Sequence, residues 1–293
     1  MQHTRVTRRR ALALGALSPL ACALNTYALP PNTQTSKPIV VHSREDATAR
    51  YALTVFEMAM HKAQAPYELS VINQAKPAIA LRRMLKAGQT DLIWAATSEQ
   101  LETDFIPVRI PLYKGLMGYR TLLIQPDSQA RFDGVKTLED LKAFKLGQVH
   151  SWADTQILEA NNLDILRVTR HVSLFNKLRK GAIDAAPRAL FETLREQQLY
   201  PEFTQERNLL LHYPLPMYFF VSRDNPELAH QLTYGLSKAV RDGSLDVLLY
   251  RQSEVKEAIA ALKAHERHVI RLENPYLPAK TPTDNPQLWL QLS

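Results

Sequence analysis

Residues 178–190 read LRKGAIDAAPRAL, and residues 85–97 read LKAGQTDLIWAAT. Each stretch ends a helical run, turns on a glycine and reaches an aspartate just ahead of an apolar segment. Glycine tolerates the left-handed backbone that closes a helix. The apolar segment that follows is short enough to be a buried strand. The aspartates, Asp91 and Asp184, lie 184 − 91 = 93 residues apart. A turn from helix to strand that occurs twice points to a repeated α/β unit.

The flanking sequence supports the repeat. Before the first copy, IVVHS (39–43) reads as a strand. Residues 46–64 space Ala49, Leu53, Phe56 and Met60 by threes and fours, with Asp46 or Thr48 as the N-cap of a helix. YELSVI is a strand, PAIALRRMLKAG a helix opening on Pro77, and DLIWAA a buried strand. Before the second copy, TLEDLKAF is a helix with a capping box from Thr137 to Asp140. KLGQV, a WADTQILEANN helix, a strand within ILRVTRHV, the SLFNKLRKG helix and IDAAP complete the same order. The fold class predicted is α/β, with two similar lobes of mixed, mostly parallel sheets joined by a two-strand hinge. Lobe one is expected to take 39–121 and 219–293, and lobe two 122–218. The connections are GYRTLLIQPDS (118–128) and LHYPLPMYFFVSRDNP (211–226). Such a hinge places a ligand cleft between the lobes.

The net charge of +7 includes Arg5, Arg8, Arg9 and Arg10, and without them it is 7 − 4 = +3. That mild excess, with no basic run elsewhere, gives no case for nucleic acid. The first 28 residues read as a signal peptide: basic TRVTRRR, apolar ALALGALSPL, then ACA (21–23) and TYA (26–28). Cleavage after Ala23 and after Ala28 both stay open. So do the general and the twin-arginine export routes, since Arg8-Arg9 or Arg9-Arg10 forms a pair without the usual following phenylalanine. Residues 29–38 are a Pro-rich linker. Cys22 is the only cysteine, so the exported chain has no disulfide, thiolate nucleophile or Cys-bound metal. The expected location is the periplasm.

With these motifs in order, the sequence resembles the type II periplasmic solute-binding proteins, in the branch that serves ABC importers of amino acids. LKAGQTDLIWAAT, GVKTLEDLKAFKLGQVHSWADTQIL, SLFNKLRKGAIDAAPRALF and MYFFVSRDNPELAHQLTYGLSKAVRDGSLDVLLYRQ carry the resemblance, over about residues 38–252. It implies a small-molecule ligand that is polar and either anionic or amino-acid-like. It also implies an ABC permease as partner, a monomer, and neither cofactor nor metal. One departure stands out. The branch carries Thr-x-x-Arg after the lobe-one strand, and here Thr97 is followed three residues later by Gln100, which offers no charged fork.

Ligands on such sheets sit beyond the carboxyl ends of the strands. That rule selects Arg44, Trp94, Thr97, Trp152, Asp154 and Arg188, and the basic segment 108–120 adds Arg109. Each has a plain structural alternative: Trp94 as core, Asp154 as a helix cap, Arg44 paired with Glu45 or Asp46. Arg188 follows an apolar run and a proline, where a charge needs a partner. It is expected to meet an anionic ligand group, so that Arg188→Ala loses binding with little change in Tm. Two alternatives remain on the same scaffold. One is a dehydratase-like cleft enzyme, for which Asp154 and His150 are the nameable acids. The other is a ligand-sensing module for a membrane signalling partner. No Gly-x-Ser-x-Gly, P-loop or dinucleotide fingerprint occurs, and catalytic residues are expected to be absent.

Overall fold

The computed structural model describes residues 37–264 and 266–290. The signal segment and all but the last two residues of the linker lie outside the described residues. The first lobe begins with β1 (Ile39–Ser43) and β2 (Leu69–Asn73), which pair in parallel. Between them runs the helix Ala47–Ala63, capped by Asp46, whose side chain accepts from the Ala49 N–H at 2.8 Å. Its buried face includes Ala49, Phe56 and Met60, as the spacing predicts, and Leu53 packs against the same core only partly buried. After the helix Ala78–Lys86 come β3 (Leu92–Ala96) and β4 (Ile106–Val108).

The chain then enters the second lobe with β5 (Tyr119–Ile124), β6 (Lys145–Val149), β7 (Asp164–Val168), β8 (Ala185–Ala189), β9 (Thr204–Gln205) and β10 (Leu209–His212). It returns through β11 (Met217–Val221), which lies antiparallel between β3 and β4. Helices Pro226–Arg241, Ser244–Tyr250 and Ser253–Ala264 follow, and the last strand is β12 (His268–Arg271). The second sheet runs β12-β10-β5-β8-β6-β7, with β9 also on β5.

The repeated motif has one job in both lobes. Asp91 donates its backbone N–H to the Val40 carbonyl at 2.8 Å, and its Oδ2 accepts the Val40 N–H at 2.7 Å. Asp184 does the same to Lys145, with both bonds at 2.7 Å. Each aspartate thus closes a two-way clasp, Asp91 between β1 and the start of β3, and Asp184 between β6 and the start of β8. The preceding glycines, Gly88 and Gly181, have φ of 66° and 65°, the left-handed conformation in which a Cβ is costly. The capping box also forms in full, with Thr137 and Asp140 each bonding the other's backbone N–H.

Pro187 sits inside β8, between β5 and β6, where a missing N–H would break a ladder. The ladder to β6 has already stopped: only Leu146 and Ala185 are in register. The Pro187 carbonyl points that way and accepts from the side-chain amide of Gln148 at 2.9 Å. The proline therefore lies where β6 and β8 part.

The lobes have separate cores. One is built around Phe56, Leu92, Phe219 and Leu236, the other around Leu122, Phe132, Leu146 and Leu211. The chain passes between the lobes at 116–118, ahead of most of the expected 118–128, and at 213–216, within the expected 211–226, and it crosses twice more. β12 pairs in parallel with β10, and Ile270 and Leu272 are buried in the second core. Residues 288–290 then pack on the first core, and the Leu290 N–H donates to the Lys114 carbonyl at 2.7 Å. Residues 268–272 therefore depart from the expected 219–293 stretch of lobe one. The cause is the open edge of β10, which β12 covers.

The first two crossings touch. The Tyr213 N–H donates to the Gly118 carbonyl at 3.2 Å, and a Cβ on Gly118 would lie 1.9 Å from the Tyr213 carbonyl oxygen. No side chain fits there without moving the backbone. Gly118→Ala is expected to lose at least about 1–3 kcal/mol. Scanning calorimetry checks this, at roughly 2–4 °C of Tm per kcal/mol for a chain of this size.

Candidate functional site

A cleft of about 590 Å³ lies between the lobes. The carboxyl ends of the parallel strands β6 and β8 supply Trp152, Asp154 and Arg188, and the start of antiparallel β5 supplies Arg120. The helix Leu190–Leu199 adds Phe191, Glu192 and Glu196. The first lobe contributes Arg44, Tyr51 and Tyr113. Phe191 stacks on Tyr113 with ring centres 5.1 Å apart, so the two walls meet.

The floor is a network of charges. Arg188 is 5% exposed, and the helix after it supplies its partners. Its Nε donates to both Glu196 oxygens at 2.8 and 2.9 Å. Its Nη2 reaches Glu196 at 2.7 Å and Glu192 at 3.0 Å. Its guanidinium lies 4.3 Å from the centre of the Trp152 ring, a cation–π contact. Glu196 also bonds the His171 Nε2 at 2.8 Å. Beside this, the buried Arg120 lies 2.5 Å from Asp154 and 3.8 Å from Glu192. The Tyr213 hydroxyl donates to the same Asp154 oxygen at 2.5 Å.

Burial works against the charge on Arg120 and Arg188, but the carboxylates outweigh it and hold both above the ordinary arginine range. Burial likewise pushes the Glu196 carboxyl up. Arg188, with hydrogen bonds from His171 and Arg188 itself, outweighs that and holds it below its usual 4.5. Burial raises the Tyr213 phenol well above its usual value, which keeps it a donor to Asp154.

The cleft gathers Arg188, Trp152, Asp154 and Arg44. Arg44 pairs with Asp46 at 3.0 Å and stays largely exposed. Asp154 is no cap: Trp152 holds the N-cap position without a side-chain bond, and Asp154 is committed to Arg120 and Tyr213. Three other candidates do not line the cleft. Trp94 packs on the first core opposite Phe219. Thr97 donates to Glu102 at 2.9 Å, and Arg109 donates to the other Glu102 oxygen at 3.0 and 2.5 Å. Arg109 therefore does not replace the charge missing at Gln100. Of the basic residues in segment 108–120, Lys114 is held by Asp246 and Arg120 is the one that lines the cleft. His150 is exposed and outside the lining, so the enzyme alternative loses one of its acids and finds the other ion-paired. Among the described residues no His, Asp and Glu cluster is placed to hold a metal ion.

The sequence reading missed Glu192 and Glu196. The signal was there: they stand four and eight residues after Arg188, on one helix face. The partner that a buried Arg188 requires is thus internal, and this alters the expected cost of removing it. Arg188→Ala leaves the buried Glu196 carboxylate with His171 as its one remaining side-chain partner and should cost about 3–5 kcal/mol in denaturant unfolding. The double change Arg188→Met with Glu196→Leu should recover most of that loss. The Glu196 pair also sets a pH limb. Its depressed carboxyl contributes stability that is complete above pH 4.5 and lost as pH falls through the folded value. Tm should drop more steeply below that pH in the wild-type chain than in Glu196→Gln.

No model of a known protein family matches the sequence, and no curated protein matches it. Solved structures do match. A Salmonella typhimurium periplasmic binding protein described for high arginine specificity is 14% identical, with 78% of this chain and 99% of that one covered and a TM-score of 0.51. An amino acid ABC transporter substrate-binding protein from Streptococcus pneumoniae, bound to L-arginine, is 13% identical over 71% of this chain and 84% of that one, with a TM-score of 0.53. The periplasmic VFT2 domain of Bordetella pertussis BvgS is 14% identical over 69% and 82%, with a TM-score of 0.54. At such identities the likeness is one of architecture, and it agrees with the paired α/β lobes and the cleft between them. The chain has the type II periplasmic binding fold.

Proposed function

We propose that the protein is an exported solute-binding protein that captures a small, polar, amino-acid-like solute in the cleft between its lobes. The observation that carries this reading is the cleft itself: about 590 Å³, walled by aromatic rings and floored by buried charges at the strand ends. Structures of the same fold named as amino acid ABC transporter substrate-binding proteins support it. Residues 1–28 serve as the signal peptide, the working compartment is the periplasm, and the working unit is a monomer. No helix among the described residues is long and apolar enough to cross a membrane. An ABC permease receives the solute. Arg188 and Asp154 hold the floor in shape, and Trp152, Tyr113 and Phe191 provide the walls.

A second reading, a sensing module for a membrane partner, is favoured by the likeness to the BvgS domain. Both readings require closure on a solute. Native mass spectrometry of the protein from its own host should show one bound small molecule. Returning it to the stripped protein should reduce the radius of gyration in X-ray scattering. Absence of both an adduct and compaction with a host small-molecule extract would sink both readings. Cross-linking in membranes separates them, through an adduct with a permease subunit or with a signalling protein.

A further inference from the structure

We infer that residues 273–290 brace the hinge: they tie its two crossings together diagonally and confine how far the lobes swing apart. The brace is a property of the hinge and acts whichever solute the cleft takes.

One anchor is on the second lobe. The Leu272 N–H donates to the His212 carbonyl at 2.8 Å, at the end of β10. Asn161 then holds the next residue from both sides. Its side-chain amide donates to the Glu273 carbonyl at 2.8 Å, and its Oδ1 accepts the Glu273 N–H at 3.0 Å. Asn161 is itself buried, at the end of the helix Ala153–Ala160. The Asn274 side-chain amide donates to the Pro214 carbonyl at 2.8 Å, on the second crossing.

The other anchor is on the first lobe. Thr281 is buried, with its hydroxyl beside that of Tyr218 in β11. The Trp289 indole N–H donates to the Pro282 carbonyl at 2.8 Å, and its ring lies where a Cβ on Gly115 would collide with it. Gly115 stands just before the first crossing and has the left-handed φ of 75°. Leu288 and Leu290 are buried in the first core, and the Lys114 carbonyl accepts the Leu290 N–H.

Residues 275–280, PYLPAK, join the anchors. Pro275 and Pro278 each fix a backbone angle. The Leu277 N–H donates to the Asn274 carbonyl at 3.2 Å and the Thr281 N–H to the Pro278 carbonyl at 2.9 Å, so the joining segment is folded into turns. Drawing the anchors apart has to break these turns or pull an anchor free. The tie runs diagonally. It starts at Pro214, where the second crossing leaves the second lobe, and ends at Lys114 and Gly115, where the first crossing leaves the first lobe. The two crossings, meeting at Gly118 and Tyr213, leave the lobes free to bend and twist about one line, and a diagonal tie resists both motions. The same crossings line the cleft through Met117 and Leu215, so a limit on the hinge is a limit on the cleft. A cleft that opens less has less freedom to lose when it closes.

Distances between paired spin labels, measured by pulsed electron resonance, test this. Cys22 is the only cysteine, so a chain beginning at residue 29 takes labels only where cysteine is introduced. Ile79→Cys on the first lobe and Leu199→Cys on the second provide the pair, at exposed positions beside the cleft. The labelled chain should give one narrow distribution. Inserting Gly-Ser-Gly-Ser between the exposed Ala279 and Lys280 lengthens the tie by up to about 14 Å. The mean distance should then grow and the distribution broaden, with little change in Tm. An unchanged or shorter distance overturns the inference. So does a longer one that comes only with a large fall in Tm, because general loosening then accounts for it. If that variant does not fold, the same insertion between the exposed Pro275 and Tyr276 takes its place under the same outcomes.

Discussion

Two guanidinium groups are buried where the lobes meet, and the site is built to keep them charged. Arg120 and Arg188 are 1% and 5% exposed. A charge so placed is tolerable only with partners in good geometry. The partners come from different parts of the chain: Asp154 from the first turn after β6, and Glu192 and Glu196 from the helix after β8. Meeting that demand fixes how the helix Leu190–Leu199 lies on the end of the sheet. The helix then carries Phe191 onto Tyr113 of the other lobe. The electrostatic requirement inside one lobe thus helps to set the contact between the two.

The scaffold beneath depends on close approaches of backbone. The Asp91 clasp ties β1 to the start of β3, and the Asp184 clasp ties β6 to the start of β8. Gly118 lets the two hinge crossings touch, just before Arg120 in the chain and against the backbone of Tyr213 in space. The hinge and the charged floor are therefore neighbours in the chain as well as in space. A change of angle between the lobes acts directly on the Arg120–Asp154–Tyr213 cluster.

Much of this was legible in the sequence, and the limits have physical causes. Helix spacing, the Asp46 cap, the Thr137–Asp140 box and the Gly-x-x-Asp turns are local, and local patterns survive into the fold. Arg188 was correctly singled out as a charge among apolar neighbours. Its partners escape the sequence because they stand on the helix that follows its strand, Leu190–Leu199, and not across the cleft. Arg109 and Thr97 failed for a related reason: a nearby glutamate, Glu102, absorbs both. Competition among side chains for one acid is a three-dimensional matter that spacing does not reveal. β12 was assigned to the wrong lobe because a four-residue strand carries no label of its partner. The signal peptide and its cleavage site lie outside the described residues, where only the sequence speaks.

The position of β12 has a consequence for the order in which the protein is assembled. β10, with its run of leucines, is complete long before its outer neighbour is synthesised, because the returning strand and the helices that end at residue 264 come between them. During that interval one side of β10 is a bare row of donors and acceptors beside buried-type side chains. Such an edge is a template for any other extended chain. A nascent or translocating molecule cut short before residue 268 would expose it permanently. Quality control of this protein thus turns on a short late strand that lines no part of the cleft.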